Sequence, residues 1–156
     1  MIQQPDIMKI RTAALVLGVI FLLLGLSGFV SGITFIPGVT DSPTSAYPGP
    51  GYGYLFGIFP TNYFHNAIGI LVGLWGLAAF TSIGGAIAFH QIFTVIYGAQ
   101  AILGLFPFTK TLFGMMPLYG SNVLLSLLTA GIAYYYGFVK PGLLTKGTGL
   151  TANASK

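Results

Sequence analysis

Four long apolar stretches, separated by short runs rich in glycine, proline and polar residues, set the pattern of the chain. At about 1.5 Å of rise per helical residue, some 20 apolar residues cross a hydrocarbon core of about 30 Å, and each stretch is close to that length. The pattern predicts helices over residues 12–34, 62–81, 86–106 and 118–139. Pro60 precedes the second helix, with Thr61 or Asn62 as its N-cap; Pro107 stops the third, and Lys140 and Pro141 stop the fourth. Ser82 to Gly85 reads as a tight turn. Residues 35–61 carry Pro37, Gly38, Pro43, Pro48, Gly49, Pro50, Gly51 and Gly53 and read as a loop, whose aromatic content suits a membrane surface. The basic start at Lys9 and Arg11 resembles a signal peptide, but the apolar block after it is longer than the usual core of one. The expected architecture is an all-α membrane protein, a four-transmembrane-helix bundle over residues 12–139 flanked by polar tails at residues 1–11 and 140–156.

Composition strengthens this reading. The chain of 156 residues is 54% hydrophobic and 5% charged, with a mean hydropathy of +0.85, against about 25% charged for ordinary soluble domains. Six basic residues against two acidic ones raise the pI to about 9.4, yet they form no patch that would attract nucleic acid. Lys9, Arg11, Lys140, Lys146 and Lys156 flank one side of the expected bundle and Lys110 the other, so the positive-inside rule places both termini in the cytoplasm and residues 35–61 outside. The lack of cysteine removes disulfides, thiolate metal sites and cysteine nucleophiles.

A short motif occurs twice. Leu55, Phe56, Gly57, Ile58, Phe59 and Pro60 precede the second helix; Leu112, Phe113, Gly114, Met115, Met116 and Pro117 precede the fourth, the same LFGxxP. Val19, Ile20, Phe21 and Gly28 of the first helix align with Val95, Ile96, Tyr97 and Gly104 of the third. The expected bundle is therefore built from two parallel two-helix repeats. In each motif Gly57 or Gly114 allows an interfacial turn, and Pro60 or Pro117 is expected to start the next helix. Close helix packing is expected at Gly18, Gly25, Gly28 and Gly32 of the first helix and Gly69, Gly73 and Gly76 of the second, with Gly28–Gly32 and Gly69–Gly73 as GxxxG pairs, within the chain rather than between copies.

Candidate chemistry is sparse. The only ionisable side chains inside the expected spans are His65 and His90, one at each end of an antiparallel pair and so roughly 20 Å apart along the normal. That separation excludes a shared haem iron or metal ion; each histidine could singly ligate a chlorophyll or haem, or be a neutral ring bonded to a facing carbonyl, Asn66 or Gln91. Asn62, Asn66 and Asn122 read as caps or interhelical hydrogen bonds, Gln100 as packing. Trp75 with Tyr134, Tyr135 and Tyr136 reads as a cytoplasmic interfacial belt. Asp6 and Asp41 lie outside the spans, leaving no carboxylate for ion coupling, and no nucleophile elbow or phosphate loop is present, so an enzyme is not expected.

The LFGxFPxNxxHN run and the glycine-rich helix after it, with VIYxxxxxLG and LFGxxPLxxxN further on, resemble the bacterial DUF4383 family of four-helix membrane proteins from about Arg11 to Phe138. The resemblance implies a histidine four residues after the His–Asn pair and another in the last helix, where this chain carries Gly69 and Leu125. It implies residence in a bacterial cytoplasmic membrane, or a thylakoid membrane in a cyanobacterium, and no defined activity. The expected function is a noncatalytic scaffold or accessory subunit, with the bilayer and a homo-oligomer or larger complex as partners. Alternatives are a binder of chlorophyll, carotenoid, haem or quinone at His65 or His90, and a small channel or transporter lined by Gln100, the asparagines and the histidines. No cofactor is required by the sequence.

Overall fold

A computed structural model describes residues 4–36 and 49–144. Pro37, Gly38, Asp41, Pro43, Pro48, Lys146 and Lys156 lie outside the described residues. The chain is mostly helical: α1 (Gln4–Ser27), α2 (Tyr63–Ala79), α3 (Ile83–Leu103) and α4 (Ser121–Tyr134), the last running on through a π-helical turn (Tyr135–Val139) to Leu144. Three of them, α1, α3 and the extended α4, are long and apolar enough to cross a membrane, while α2 is apolar but shorter.

Four expectations need correction. The first helix starts at Gln4 rather than residue 12 and stops at Ser27 rather than residue 34, because the chain turns through Phe29 and Val30 into a β-strand. Gly32 therefore lies outside α1, at φ +89° with nothing near it, and packs no helix. The segment expected to be all loop holds a small antiparallel sheet of β1 (Thr34–Phe35), β2 (Gly53–Leu55) and β3 (Phe59–Thr61) in the order β1-β2-β3, a minor addition to a fold that is otherwise helical and consistent with the all-α class. Neither proline starts a helix: Pro60 lies in β3, and Pro117 precedes α4 by a short non-helical stretch. The fourth helix also passes Pro141, where the wide π turn just ahead of it loosens the ladder in which that proline lacks an amide.

The two LFGxxP segments fold alike. In the first, Phe56 and Gly57 both have positive φ (54° and 72°) and the Ile58 amide donates to the Leu55 carbonyl at 3.0 Å. In the second, Phe113 and Gly114 have φ of 56° and 87°, and the Met115 amide donates to the Leu112 carbonyl at 3.2 Å; Leu112 ahead of them is also left-handed, at φ 44°, where Leu55 is extended in β2. Two successive left-handed residues closed by such a bond have the signature of a type I′ turn, in which glycine costs nothing and phenylalanine is strained.

Helices pack as two antiparallel hairpins, α1 with α2 and α3 with α4. Glycine sets the first contact: a Cβ on Gly18 would stand 2.9 Å from the Gly73 carbonyl oxygen and the Leu77 amide, one on Gly76 would stand 2.6 Å from the Gly18 Cα, and one on Gly69 would stand 3.2 Å from the Gly25 Cα. The packing is thus within the chain, as expected, but its partners on α1 are Gly18 and Gly25 rather than a Gly28–Gly32 pair. Gly28 keeps a different place, against the Asn66 carboxamide. Such backbone approach maximises dispersion contact where apolar surroundings give helices no hydrophobic reason to associate. Between the hairpins lies a core of Ile10, Leu17, Phe21, Phe89, Phe93 and Tyr97, with Phe21 meeting Tyr97 edge-on at 4.8 Å and Phe93 stacking on Tyr97 at 4.0 Å.

Polar contacts bind the other end of the bundle. Arg11 donates from Nε to the Phe80 carbonyl at 2.6 Å, at the end of α2 where the helix dipole favours a cation. Lys140 meets Asp6 at 3.0 Å, joining α4 to α1. Substituting Gly18→Leu should lower stability in detergent by about 2–3 kcal/mol through overpacking, whereas Gly98→Leu, where a side chain meets nothing within 4 Å, should leave it unchanged or slightly raised. Thermal unfolding of the two variants against the parent decides this, and equal effects would contradict the packing described.

Candidate functional site

At the end of the bundle that carries the sheet, the starts of α2 and α4 converge with the LFGxxP turns on a cavity of about 40 Å³. Phe21, Thr61, His65, Asn66, Tyr97 and Asn122 are among its walls. Local sequence explains how the side chains arrive there. Asn62 caps α2, accepting from the His65 amide at 2.8 Å, which places His65 and Asn66 in the first turn facing inward. Thr61, the last residue of β3, donates to the Asn66 Oδ1 at 2.5 Å.

Most polar atoms here connect one hairpin to the other. Asn62 Nδ2 donates to the Met115 carbonyl at 2.7 Å, and Ser121 Oγ donates to the Ile58 carbonyl at 2.6 Å. Ile58 and Met115 hold the same place in their respective LFGxxP motifs, directly after the glycine, so the two acceptors are equivalent, although the donors, Ser121 and Asn62, stand at different places relative to the motifs. Asn122 Nδ2 donates to the Pro60 carbonyl at 2.6 Å and to the Pro117 carbonyl at 3.0 Å, again equivalent positions. Asn122 therefore bridges the hairpins rather than capping α4, whose N-cap is Gly120. Above the sheet, Tyr52 shares hydrogen bonds with Tyr119 (2.6 Å) and Tyr54 (3.1 Å). Burial and then the Tyr119 bond push the Tyr52 hydroxyl up to about 12, so this link keeps its proton at ordinary pH.

Among the described residues, His65 Nδ1 and Asn66 Nδ2 are buried without a hydrogen-bond partner. The cavity beside them has room for a water or two, each needing about 10–15 Å³ of such space, and an imidazole with a carboxamide can hold one. A porphyrin, chlorin or quinone ring needs a site of several hundred cubic ångströms, so His65 has no such group within its reach here. His90 sits at the opposite end, as expected. Its ring is 0% exposed, its Nε2 bonds the Ile10 carbonyl at 3.1 Å, and it stacks on Tyr136 at 5.6 Å. The expected facing carbonyl is thus that of Ile10, and no face of the ring is open to a macrocycle.

The polar residues expected to line a pore do not share one. His90 is packed in the core, His65 with the asparagines closes the cavity, and Gln100 opens on an outward groove between α2 and α3. Gly69 and Leu125, which stand where the family resemblance implies histidines, both line the cavity with His65. This chain keeps one imidazole there, and among the described residues no group of three or more metal-ligating side chains occurs. In the sequence Thr61 stands out only as an alternative cap and Tyr97 only as the counterpart of Phe21, which it meets edge-on; Ser121 carries no such signal.

The model of a protein family described as a domain of unknown function, DUF4383, matches residues 11–139. No curated protein matches the chain, and neither does any solved structure. Replacing Asn122 by alanine strips both proline carbonyls of a donor in a buried place and should cost about 1–3 kcal/mol, read as a lower unfolding midpoint in detergent. A midpoint equal to the parent's would show that the hairpins are held together by packing alone.

Proposed function

Since the chain belongs to the DUF4383 family, whose description assigns no activity, we propose its function from geometry: a noncatalytic integral membrane protein that serves as a scaffold or accessory subunit. In this reading all four helices span the bilayer of a bacterial cytoplasmic or thylakoid membrane, with both termini cytoplasmic and the sheet outside. The spanning domain is the segment 12–139 between cytoplasmic tails. The 17 residues of α2 give about 25 Å, short of a full hydrocarbon core, and the buried β3 residues Pro60 and Thr61 ahead of them complete the crossing inside protein, where non-helical backbone is tolerated.

The observation that carries the proposal is that the equivalent carbonyls of the two motifs, those of Met115 and Ile58, each accept a side-chain bond from the opposite hairpin, from Asn62 and Ser121. It supports two parallel repeats related by a twofold axis along the normal, and it accounts for the polar side chains by structural work rather than chemistry. Burial supports the same repeat. Ile10, Ala14, Leu17, Phe21 and Gly25 of α1 are buried, and so are Ala86, His90, Phe93, Tyr97 and Ala101, their partners in the alignment of α1 with α3. Aligning the motifs likewise matches Gly69, Gly73 and Gly76 of α2 with Ser126, Ala130 and Ala133 of α4, all buried.

Partner binding rests on the outside of the bundle. Gly98 and Gly131 lie on helices where a side chain would meet nothing within 4 Å, and the apolar side chains Val95, Leu127 and Leu128, within one turn of them in sequence, are largely exposed. Helices of another subunit, or of a second copy, can approach closely at such places. Purification from native membranes in mild detergent, followed by native mass spectrometry, should give a defined assembly larger than one chain. Gly98→Phe should break that assembly without unfolding the monomer; a parent protein that is monomeric and free of stoichiometric partners would refute the scaffold role.

A further inference from the structure

The two hairpins meet along two outward grooves, and these differ in one respect that matters. The groove between α1 and α4 is walled by Val16, Leu17, Ile20 and Ile132, with Lys9 and Tyr136 at one end. The groove between α2 and α3 is larger, about 660 Å³, and is walled by Phe64, Leu71, Trp75, Ile96, Gln100 and Leu103 among others. Its walls are apolar except for Gln100. That residue is only 8% exposed, and among the described residues its carboxamide has no hydrogen-bond partner. At the aligned place in α1 stands Leu24, so the polar group is not something the repeat requires.

A carboxamide left without partners in an apolar medium is costly, by more than a single hydrogen bond in water returns. Its presence calls for an occupant that brings an acceptor or donor to that depth. Dimensions indicate which. From Phe64 to Trp75 the groove follows α2 for about 16 Å, close to half of a hydrocarbon core of about 30 Å, the reach of one leaflet. Gln100 lies three residues short of the end of α3 at Leu103, about 4–5 Å below it. In the membrane orientation proposed above, on which this inference rests, that level is the boundary between acyl chains and headgroups in the outer leaflet, where glycerolipid ester carbonyls lie.

We propose that the α2–α3 groove binds one acyl chain of an outer-leaflet diacyl glycerolipid, with the lipid's ester carbonyl accepting a hydrogen bond from Gln100 Nε2. Trp75 borders the inner end of the chain, and Phe64 and Leu103 flank its ester end. The α1–α4 groove, whose walls carry no carboxamide, takes lipid without preference for the linkage.

Trp75 is the one tryptophan of the protein and lines the groove, so its fluorescence reports occupancy. The full chain is reconstituted in phosphatidylcholine vesicles, and quenching is followed as chain-brominated diacyl phosphatidylcholine or its dialkyl ether analogue, which lacks the carbonyl, replaces the host lipid. The diacyl lipid should occupy the groove about three- to tenfold more favourably than the ether lipid, the range one hydrogen bond supports. Gln100→Leu should bring the two lipids to equality, and Ala99→Phe, which fills the groove, should weaken quenching by both. Quenching that is strong but equal for ester and ether lipid in the parent overturns the site while leaving the membrane reading intact. Absence of quenching by either lipid overturns the membrane reading, and the site with it. Co-purification of a quinone or carotenoid that is lost in Gln100→Leu overturns the choice of a glycerolipid.

Discussion

Where water is excluded, every backbone group that a helix leaves unpaired must find a partner inside the protein, and this constraint explains the construction of the sheet end of the bundle. Both LFGxxP segments interrupt helical hydrogen bonding, and each exposes carbonyls just after its glycine and at its proline. The opposite unit supplies the donors: Asn62 for Met115, Ser121 for Ile58, and Asn122 for Pro60, with Pro117 served by the same amide. Breaking the chain into two hairpins thus creates the groups that hold them together. Packing then follows, with glycine bringing α1 against α2 and a chain of rings from Trp75 through Phe89, Phe93 and Tyr97 to Phe21 filling the middle.

A site at such a joint has little freedom left for chemistry. His65 and Asn66 keep one free nitrogen each, beside a space fit for water. His90 is fixed by a backbone carbonyl and an aromatic face. Gln100, buried in the wall of the larger groove, between α2 and α3, opens outward instead. Gln100 stands where the alignment of α1 with α3 puts Leu24, and His90 where it puts Ala14, so the two hairpins differ at these polar positions.

The existence of four helices was legible because apolar runs mark them at a scale of 20 residues or so, while Pro60, Pro117 and Pro141 misplaced their ends. Asn62 was legible as a cap because its side chain acts on its own helix. The sheet was not, since its strands are two and three residues long and their turn uses Phe56 before Gly57 where asparagine or aspartate would announce a hairpin. Gly28–Gly32 misled because spacing alone cannot tell that a helix has already ended at Ser27; Gly18 and Gly25, seven residues apart, face the partner helix instead. The role of Asn122 needed the fold, because its partner Pro60 is distant in sequence. The histidine pair was read correctly as separated, since antiparallel helices fix that distance whatever their packing.

The account turns on two similar hairpins crossing the bilayer in the same direction, with both glycine turns on the outer face. The chain has no cysteine, so single cysteines placed at Ile58, Phe113 and Gly84 can be challenged with a membrane-impermeant maleimide on intact cells. Ile58→Cys and Phe113→Cys should both react from outside, and Gly84→Cys, in the turn between α2 and α3, only after permeabilisation. Reaction of the first two from opposite sides, or of Gly84→Cys together with them on intact cells, would contradict it.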